Sequence, residues 1–273
     1  MAREHAVLSV LHRAYPPAPE AVLLCTDPEV MGAPFFVMER RRGTVVREAW
    51  PVNLPSGDAF RLCLAGHVVD ALAALHRVDY RALGLEGLGR PDGFVARQVA
   101  GWVDRWNRAK HEDVPAMEEL GAWFPSAAPA PQAAVLLHND FKLDNLMVSD
   151  AGEVVAVLDW DMATLGDPLI DLGTTLAYWA EPGDALHALF ADRTALSAVM
   201  PRPQVVERYA AATGFDTSGL AFYHAFGMYR VAVIIQQIYI RYRRGQTSDD
   251  RFAALGSVVP WMAEDARRVA SSG

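Results

Sequence analysis

The side chains with the most chemistry to offer lie between Val135 and Gly173, in VLLHNDFKLDNLMVSDAGEVVAVLDWDMATLGDPLIDLG. Two acidic groups follow one another there. The first is His138-Asn139-Asp140-Phe141-Lys142-Leu143-Asp144-Asn145, and the second is Leu158-Asp159-Trp160-Asp161. The chemistry they suit is phosphoryl transfer, which asks a protein mainly to position groups and to neutralise phosphate charge. Asp140 can accept a proton from a substrate hydroxyl, and Lys142, two residues on, can reach the transferring phosphate. Asn145 and Asp159 offer hard oxygen ligands, which suit Mg²⁺ bridging ATP phosphates. An isolated His-x-Asp carries little weight. The fixed order of His, Asp, Lys and Asn, followed by an apolar run ending in Asp-Trp-Asp, carries much more.

The elements that must hold these groups are legible locally. Residues 134–137 are a short apolar run bounded by polar residues, which predicts a buried strand. Residues 138–145 predict a loop, because Asn, Asp and Lys cluster there. Residues 146–148 predict a brief strand, and 150–152 a turn in which Gly152 is free to take positive φ. Residues 154–158 are β-branched and apolar and predict the next strand. This unit delivers Asp140, Asn145 and Asp159 to one end of two neighbouring strands. Residues 165–168 then predict a turn and 169–180 a helix. Asp171, near the start of that helix, is expected to brace the loop by accepting backbone N–H groups, to cap the helix, or both.

Elsewhere, apolar spacing predicts helices over 2–14, 58–76, 93–109, 112–124, 204–213, 220–244 and 249–270. Strands are expected over 21–25, 35–38 and 44–47, and irregular structure over 181–203. Glu4 falls in a first helical turn, where the helix dipole favours an acid. His76 reads as a capping or packed histidine. Arg230, Arg241, Arg243 and Arg244 read as a solvated basic helix end more readily than as a seat for an anionic substrate.

At 273 residues the chain is long enough for one large domain or two lobes. Its 52% hydrophobic and 21% charged residues are ordinary for a globular protein. A net charge of −8 argues against nucleic acid as a general partner. The two cysteines, Cys25 and Cys63, sit in apolar sequence and read as small core residues, not as a disulfide or metal framework. No N-terminal signal pattern is present. The most apolar run, 231–240, is broken by Gln236 and Gln237 and is too short to span a bilayer. A cytoplasmic location with no membrane partner is therefore expected. Lys110 and Lys142 are the only lysines among the 25 basic residues, so a lysine inside the motif is not surface decoration.

The spacing H-x-D-x-x-x-x-N, followed by a strand ending in Asp, resembles the catalytic loop and metal-binding Asp of kinase-fold enzymes. LLHNDFKLDNLMV and VVAVLDWDMATLGDPLIDLG closely resemble the aminoglycoside phosphotransferase and choline kinase-like superfamily. Within it, the chain is most similar to the kinase-like phosphotransferases related to the N-terminal domain of acyl-CoA dehydrogenase family members 10 and 11. REHAVLSVLHRAYPPAPEAVLLCTDPEVMGAPFFVMER and MYRVAVIIQQIYIRYRRGQ support that narrower likeness. The resemblance implies an α+β, protein-kinase-like two-lobed fold with ATP between the lobes. Residues 1–42 would be a remnant of the small lobe (helix C, two strands and the hinge), and 43–273 the large, mainly helical lobe. It implies Asp140 as catalytic base, Lys142 as the residue that steadies the γ-phosphate, and Asn145 and Asp159 as Mg²⁺ ligands. Met38, Glu39, Arg40 and Arg41 would belong to the hinge against the adenine, and Glu4 would be the helix-C glutamate. The implied reaction moves the γ-phosphate of ATP to a hydroxyl of a small molecule, a hydroxy acid or hydroxyacyl-CoA more readily than an antibiotic.

The chain also departs from that family pattern. Kinase-like folds begin with a Gly-rich hairpin and a strand whose lysine pairs with the helix-C glutamate and the phosphates. Here no lysine precedes Lys110, so Glu4 has no lysine partner within the chain. An apolar patch and an unpaired strand edge are expected on the small lobe, open to a second copy in a homodimer. Weak ATP binding is expected as well, with Met1 an internal start. The alternative is a non-catalytic, pseudokinase-like binding module or an inactive truncated fragment. A metal-dependent hydrolase built on Asp140, Asp159 and Asp161 is a third reading, weakened because such sites usually need more ligands.

Overall fold

The computed structural model describes residues 1–47, 49–189 and 196–272. The chain opens with α1 (Ala2–Leu11), β1 (Ala21–Cys25), the single turn α2 (Pro28–Met31), β2 (Phe35–Met38) and β3 (Thr44–Val45). The long α3 (Asp58–His76), α4 (Phe94–Ala109) and α5 (Pro115–Ala127) follow. Next come β4 (Val135–Leu137), β5 (Leu146–Val148), β6 (Val154–Val157), β7 (Thr164–Gly166) and α6 (Pro168–Tyr178). The chain closes with α7 (Ala185–Leu189), α8 (Arg202–Thr213), α9 (Leu220–Arg243) and α10 (Leu255–Ser271). The fold is α+β, with most of its mass in helices.

The strands form three small antiparallel sheets, in the orders β1-β2, β3-β5-β6 and β4-β7. β4 is buried along its whole length, as its unbroken apolar run requires. Its partner β7 corrects the expected turn at 165–168: Val135 pairs with Gly166 and Leu137 with Thr164. Three residues are too few to show a strand period, so tertiary pairing and not local pattern makes β7. β5 and β6 are the expected hairpin, and β3 adds a third strand through Thr44 opposite Val148.

The N-terminal segment is joined to this middle unit through backbone and core. Val7, Leu8 and Leu11 of α1 are buried in the same apolar cluster as β4 and β6. The Val157 N–H donates to the Pro17 carbonyl at 2.8 Å. α3 turns Leu64, Val68, Leu72 and Leu75 into that core. It is also the one helix among the described residues long and apolar enough to cross a membrane by length and composition. Core packing accounts for that apolarity.

α6 and α9 cross where each presents a glycine. A Cβ on Gly173 would stand 2.3 Å from the Tyr223 carbonyl oxygen, and one on Gly227 would stand 2.4 Å from the Gly173 oxygen. Only residues without Cβ let the two backbones approach so closely. The helix expected over 220–244 is thereby locked against the helix that carries Asp171.

Two further expectations need correcting. Cys63 lies on the exposed side of α3 and Cys25 is half-buried, so neither is a core residue. Part of 181–203 is helical, in α7 and the start of α8; residues 190–195 of that stretch lie outside the described residues.

Candidate active site

The loop after β4 is held from below by one buried carboxylate. Asp171 Oδ2 accepts the His138 N–H at 2.7 Å, and Oδ1 accepts the Asn139 N–H at 2.8 Å. His76 Nε2 stands 3.3 Å from the same Oδ2, while its Nδ1 stands 2.6 Å from the Tyr209 hydroxyl. One tautomer satisfies both contacts: Nε2–H donates to Asp171 and Nδ1 accepts from Tyr209. Burial pushes the Asp171 carboxyl up, but the hydrogen bonds from His76 and the His138 N–H, with both imidazoles close by, outweigh it, and its pKa lies below the ordinary value. Asp171 thus braces the loop, and His76 is the packed histidine expected.

Arg230 holds the same loop from the other side. It is fully buried in α9, where its guanidinium donates to Thr174 Oγ1 at 3.0 Å and to the Asn139 carbonyl at 3.1 Å. Its Cζ lies 5.2 Å from the Trp102 ring centroid. Burial lowers its pKa below the ordinary value. Arg230 is therefore neither solvated nor part of a basic helix end, contrary to the sequence reading. The available signal was one cation in the middle of the apolar stretch 220–235.

Asn139 sits in the left-handed region, with φ 67°. Asn tolerates that region better than most residues. The turn lets its carbonyl face Arg230 while its side-chain Nδ2 donates to the Met162 carbonyl at 2.9 Å. Asp159 is left-handed too, with φ 65°. His138 ties the two segments together. Its Nε2 donates to the Leu158 carbonyl at 2.9 Å, and its Nδ1 accepts the Asp140 N–H at 3.2 Å. This fixes a neutral ring, and burial lowers its pKa accordingly. Thr175 Oγ1 adds a hydrogen bond to the Phe141 carbonyl at 2.9 Å.

On this frame the candidate reacting groups converge. Lys142 Nζ lies 2.8 Å from Asp140 Oδ2. Asn145 Nδ2 donates to that same oxygen and to the Asp140 carbonyl, both at 2.9 Å. Both partners of the Asn145 amide are acceptors, so its nitrogen must face them and its Oδ1 faces elsewhere. Burial would push the Lys142 ammonium down, but Tyr178, whose ring centroid is 5.1 Å from Nζ, and Asp140 raise its pKa above the ordinary value. A small cavity of about 40 Å³ adjoins Lys142 and Tyr178. Tyr178 was not singled out from sequence, and a tyrosine in a buried helix gives no signal for that role.

Glu4 reaches the second segment: its Oε1 accepts the Trp160 N–H at 3.3 Å. Burial pushes its carboxyl up, Trp160 partly offsets this, and its pKa lies above the ordinary value. Asp161 points away, with a carboxylate oxygen 3.6 Å from the Met1 amino group. Met38, Glu39, Arg40 and Arg41 leave β2 together. The Glu39 N–H is occupied by the Glu20 carbonyl at 2.8 Å. The Glu39 carboxylate pairs with Arg41 at 2.9 Å. No set of three or more His, Cys, Asp or Glu side chains that could hold a metal occurs among the described residues.

A family model described as the phosphotransferase enzyme family matches residues 1–223. Acyl-CoA dehydrogenase family member 11 of Gallus gallus is 33% identical over 270 residues, covering 96% of this chain and 34% of its own length. Acyl-CoA dehydrogenase family member 10 of Mus musculus is 33% identical over 267 residues, covering 96% of this chain and 25% of its own length. The chain therefore spans about a third of the first relative and a quarter of the second. A crystal structure described as a candidate aminoglycoside phosphotransferase of Ralstonia eutropha JMP134 superposes with a TM-score of 0.85 at 31% identity, covering 99% of this chain and 83% of that one. The α+β architecture is thus the kinase-like fold of these phosphotransferases, and the chain belongs to the phosphotransferase enzyme family.

Proposed function

We propose that this chain is a small-molecule kinase: it transfers the γ-phosphate of ATP, with Mg²⁺, to a hydroxyl group of a small acceptor. The observation that carries this reading is how the Asp140 carboxylate is held. Lys142 and Asn145 both engage Oδ2, which leaves Oδ1 for an acceptor hydroxyl. In the transfer the hydroxyl proton passes to Asp140. The acceptor oxygen bonds to the γ-phosphorus, the bond from that phosphorus to the bridging oxygen breaks, and ADP leaves. Lys142, kept charged by Tyr178 and Asp140, faces the transferring phosphate.

Asn145 Oδ1 and the Asp159 carboxylate would hold the Mg²⁺ ion; their segments are joined by the Leu158 N–H donating to the Asn145 carbonyl at 2.8 Å. Two protein oxygens suffice when phosphates and water supply the rest, which is how this ion is usually bound. The ion would neutralise charge on the β- and γ-phosphates. The lack of a three-ligand cluster among the described residues disfavours the hydrolase reading, and Asp161 faces elsewhere. The adenine would lie against Met38–Arg41, contacted through the Glu39 carbonyl because the Glu39 N–H is already occupied. The relatives are named for acyl-CoA, which supports a hydroxyl borne by an acyl-CoA or its acid as the acceptor to test first.

The second reading, a non-catalytic binding module, is favoured by Glu4, which bonds to the Trp160 N–H and has no lysine partner among the described residues. One experiment separates the two. ADP release is followed over a panel of hydroxy acids and hydroxyacyl thioesters, beside calorimetric titration of Mg–ATP. Asp140→Asn is expected to lower turnover by about 10²–10⁴-fold with Mg–ATP affinity kept. Nucleotide binding without transfer to any acceptor supports the binding module. Loss of Mg–ATP binding in Asp140→Asn sinks the assigned roles.

A further inference from the structure

A cleft of about 740 Å³ runs along the seam of α4 and α9. Arg105 and Arg108 line it from α4, Arg241 from the last turn of α9 and Arg244 from the residue after it, and Ile234 and Ile238 add apolar surface. The whole chain carries 33 acids against 25 basic residues, so four arginines on one cleft run against its composition. Arg108 is paired with Asp104. Arg105 instead stacks on the Trp102 ring, 4.4 Å from its centroid. Arg105, Arg241 and Arg244 have no carboxylate partner among the described residues. Unpaired like charges gathered at one place raise each other's energy unless an anion joins them. Planar guanidinium groups in such numbers match phosphate geometry better than lysine would.

Trp102 packs between the cleft and the frame of the 138–145 loop. Trp102 touches Arg230, which holds the Asn139 carbonyl, and Arg105, which lines the cleft. Ile234 follows Arg230 by one helical turn. From Arg230 to Arg241 the helix advances about 16 Å, at about 1.5 Å per residue. We propose that this arginine-lined cleft binds the phosphate-bearing end of an elongated small molecule. Resting on the phosphotransferase reading, that molecule is the acceptor.

The test uses inorganic pyrophosphate as the probe, titrated calorimetrically in metal-free buffer into the full chain, into Arg241→Gln/Arg244→Gln and into Lys142→Gln. The arginines are on the surface, and an unchanged melting temperature confirms that the double variant is folded. Pyrophosphate is expected to bind the parent chain, to bind the double variant at least tenfold more weakly, and to bind Lys142→Gln as it binds the parent. No binding to the parent, equal binding by the double variant, or loss confined to Lys142→Gln overturns the proposal; the last result would put the phosphate in the active site. A lipid headgroup is the other source of the same chemistry. Arginine-dependent sedimentation with phosphatidylcholine–phosphatidylserine vesicles, and not with phosphatidylcholine alone, would overturn the small-molecule assignment. Because these readouts need no turnover, a chain that binds pyrophosphate through its arginines yet transfers no phosphate refutes the kinase reading and leaves the cleft intact.

Discussion

Asp171 and Leu23 mark two regions held in opposite ways. Around Asp171, the loop 138–145 is held by buried hydrogen bonds: from the His138 and Asn139 N–H groups and the His76 ring to Asp171, from Arg230 to Asn139, and from Thr175 to Phe141. Around Leu23, the β1–β2 sheet has two strands and an apolar outer surface, with Val22, Leu23, Val37 and Met38 all exposed. The contrast teaches that this chain invests its buried polar network in the groups that set Asp140, Lys142 and Asn145, and little in the β1–β2 sheet. Loop geometry should then be rigid and costly to disturb, and the sheet tolerant.

The largest effect should come from Asp171→Ala. It strands two buried N–H donors and a histidine, which costs about 3–5 kcal/mol by the precedent of broken buried polar networks. Urea unfolding measures the loss, and phosphate transfer should fall with it. Asp171→Asn keeps the shape but turns an NH₂ toward one donor, so it should fall between the two.

A pH effect of somewhat smaller size is expected at His224, buried on the inner side of α9. Burial, helped by the charge of Arg202, pushes its pKa down to about 3. The unfolded chain holds the ordinary value near 6.5, so it takes up the proton first as pH falls. The stabilisation is therefore complete above pH 6.5 and lost on the way down toward 3. Between about pH 6.5 and 4.5 this amounts to about 2–3 kcal/mol. His138, lowered by the same cause, acts in the same direction. Urea midpoints at the two pH values should converge in His224→Gln; an unchanged slope would show that this ring is not held neutral.

Gly227→Ala comes next, at about 1–3 kcal/mol. A helix interior normally favours Ala over Gly by about 1 kcal/mol, so a stabilised variant would show that the α6–α9 crossing is loose. The clash with the Gly173 carbonyl predicts the opposite sign. Because Arg230 lies one turn on, transfer should fall more than the stability loss alone explains.

How much of this was legible in the sequence follows from the range of each interaction. The loop, its flanking strands and the reach of Asp171 were readable because the whole unit lies within 39 consecutive residues. Glu4 was placed only through a family resemblance, and its contact with Trp160 spans 156 positions. Arg230 was misread because its partners, Asn139 and Thr174, are remote in sequence, and it was grouped with the arginines at the C-terminal end of the same helix. β7 was missed because three residues have no period of their own. Cys63 was misplaced because an apolar neighbourhood in sequence says nothing about which side of a helix a residue occupies.

The smallest expected effect is at the sheet. Leu23 is 52% exposed, and the bulge beside it leaves Val22, at 67%, exposed as well. The opposite side does the packing: Phe36 lies on the core, and its ring stands edge-on to His5 at 6.3 Å. Leu23→Lys should therefore change stability by no more than about 0.5 kcal/mol, as for other exposed positions free of special contacts. Phe36→Ala, by contrast, removes a packed aromatic ring and should cost about 3 kcal/mol. Urea unfolding of both variants tests the asymmetry directly. If Leu23→Lys costs more than about 1 kcal/mol, and the cost grows with protein concentration, the outer face of β1–β2 is covered by a second copy in solution. The sheet would then be held as firmly as the loop, with its partner supplied from outside the chain.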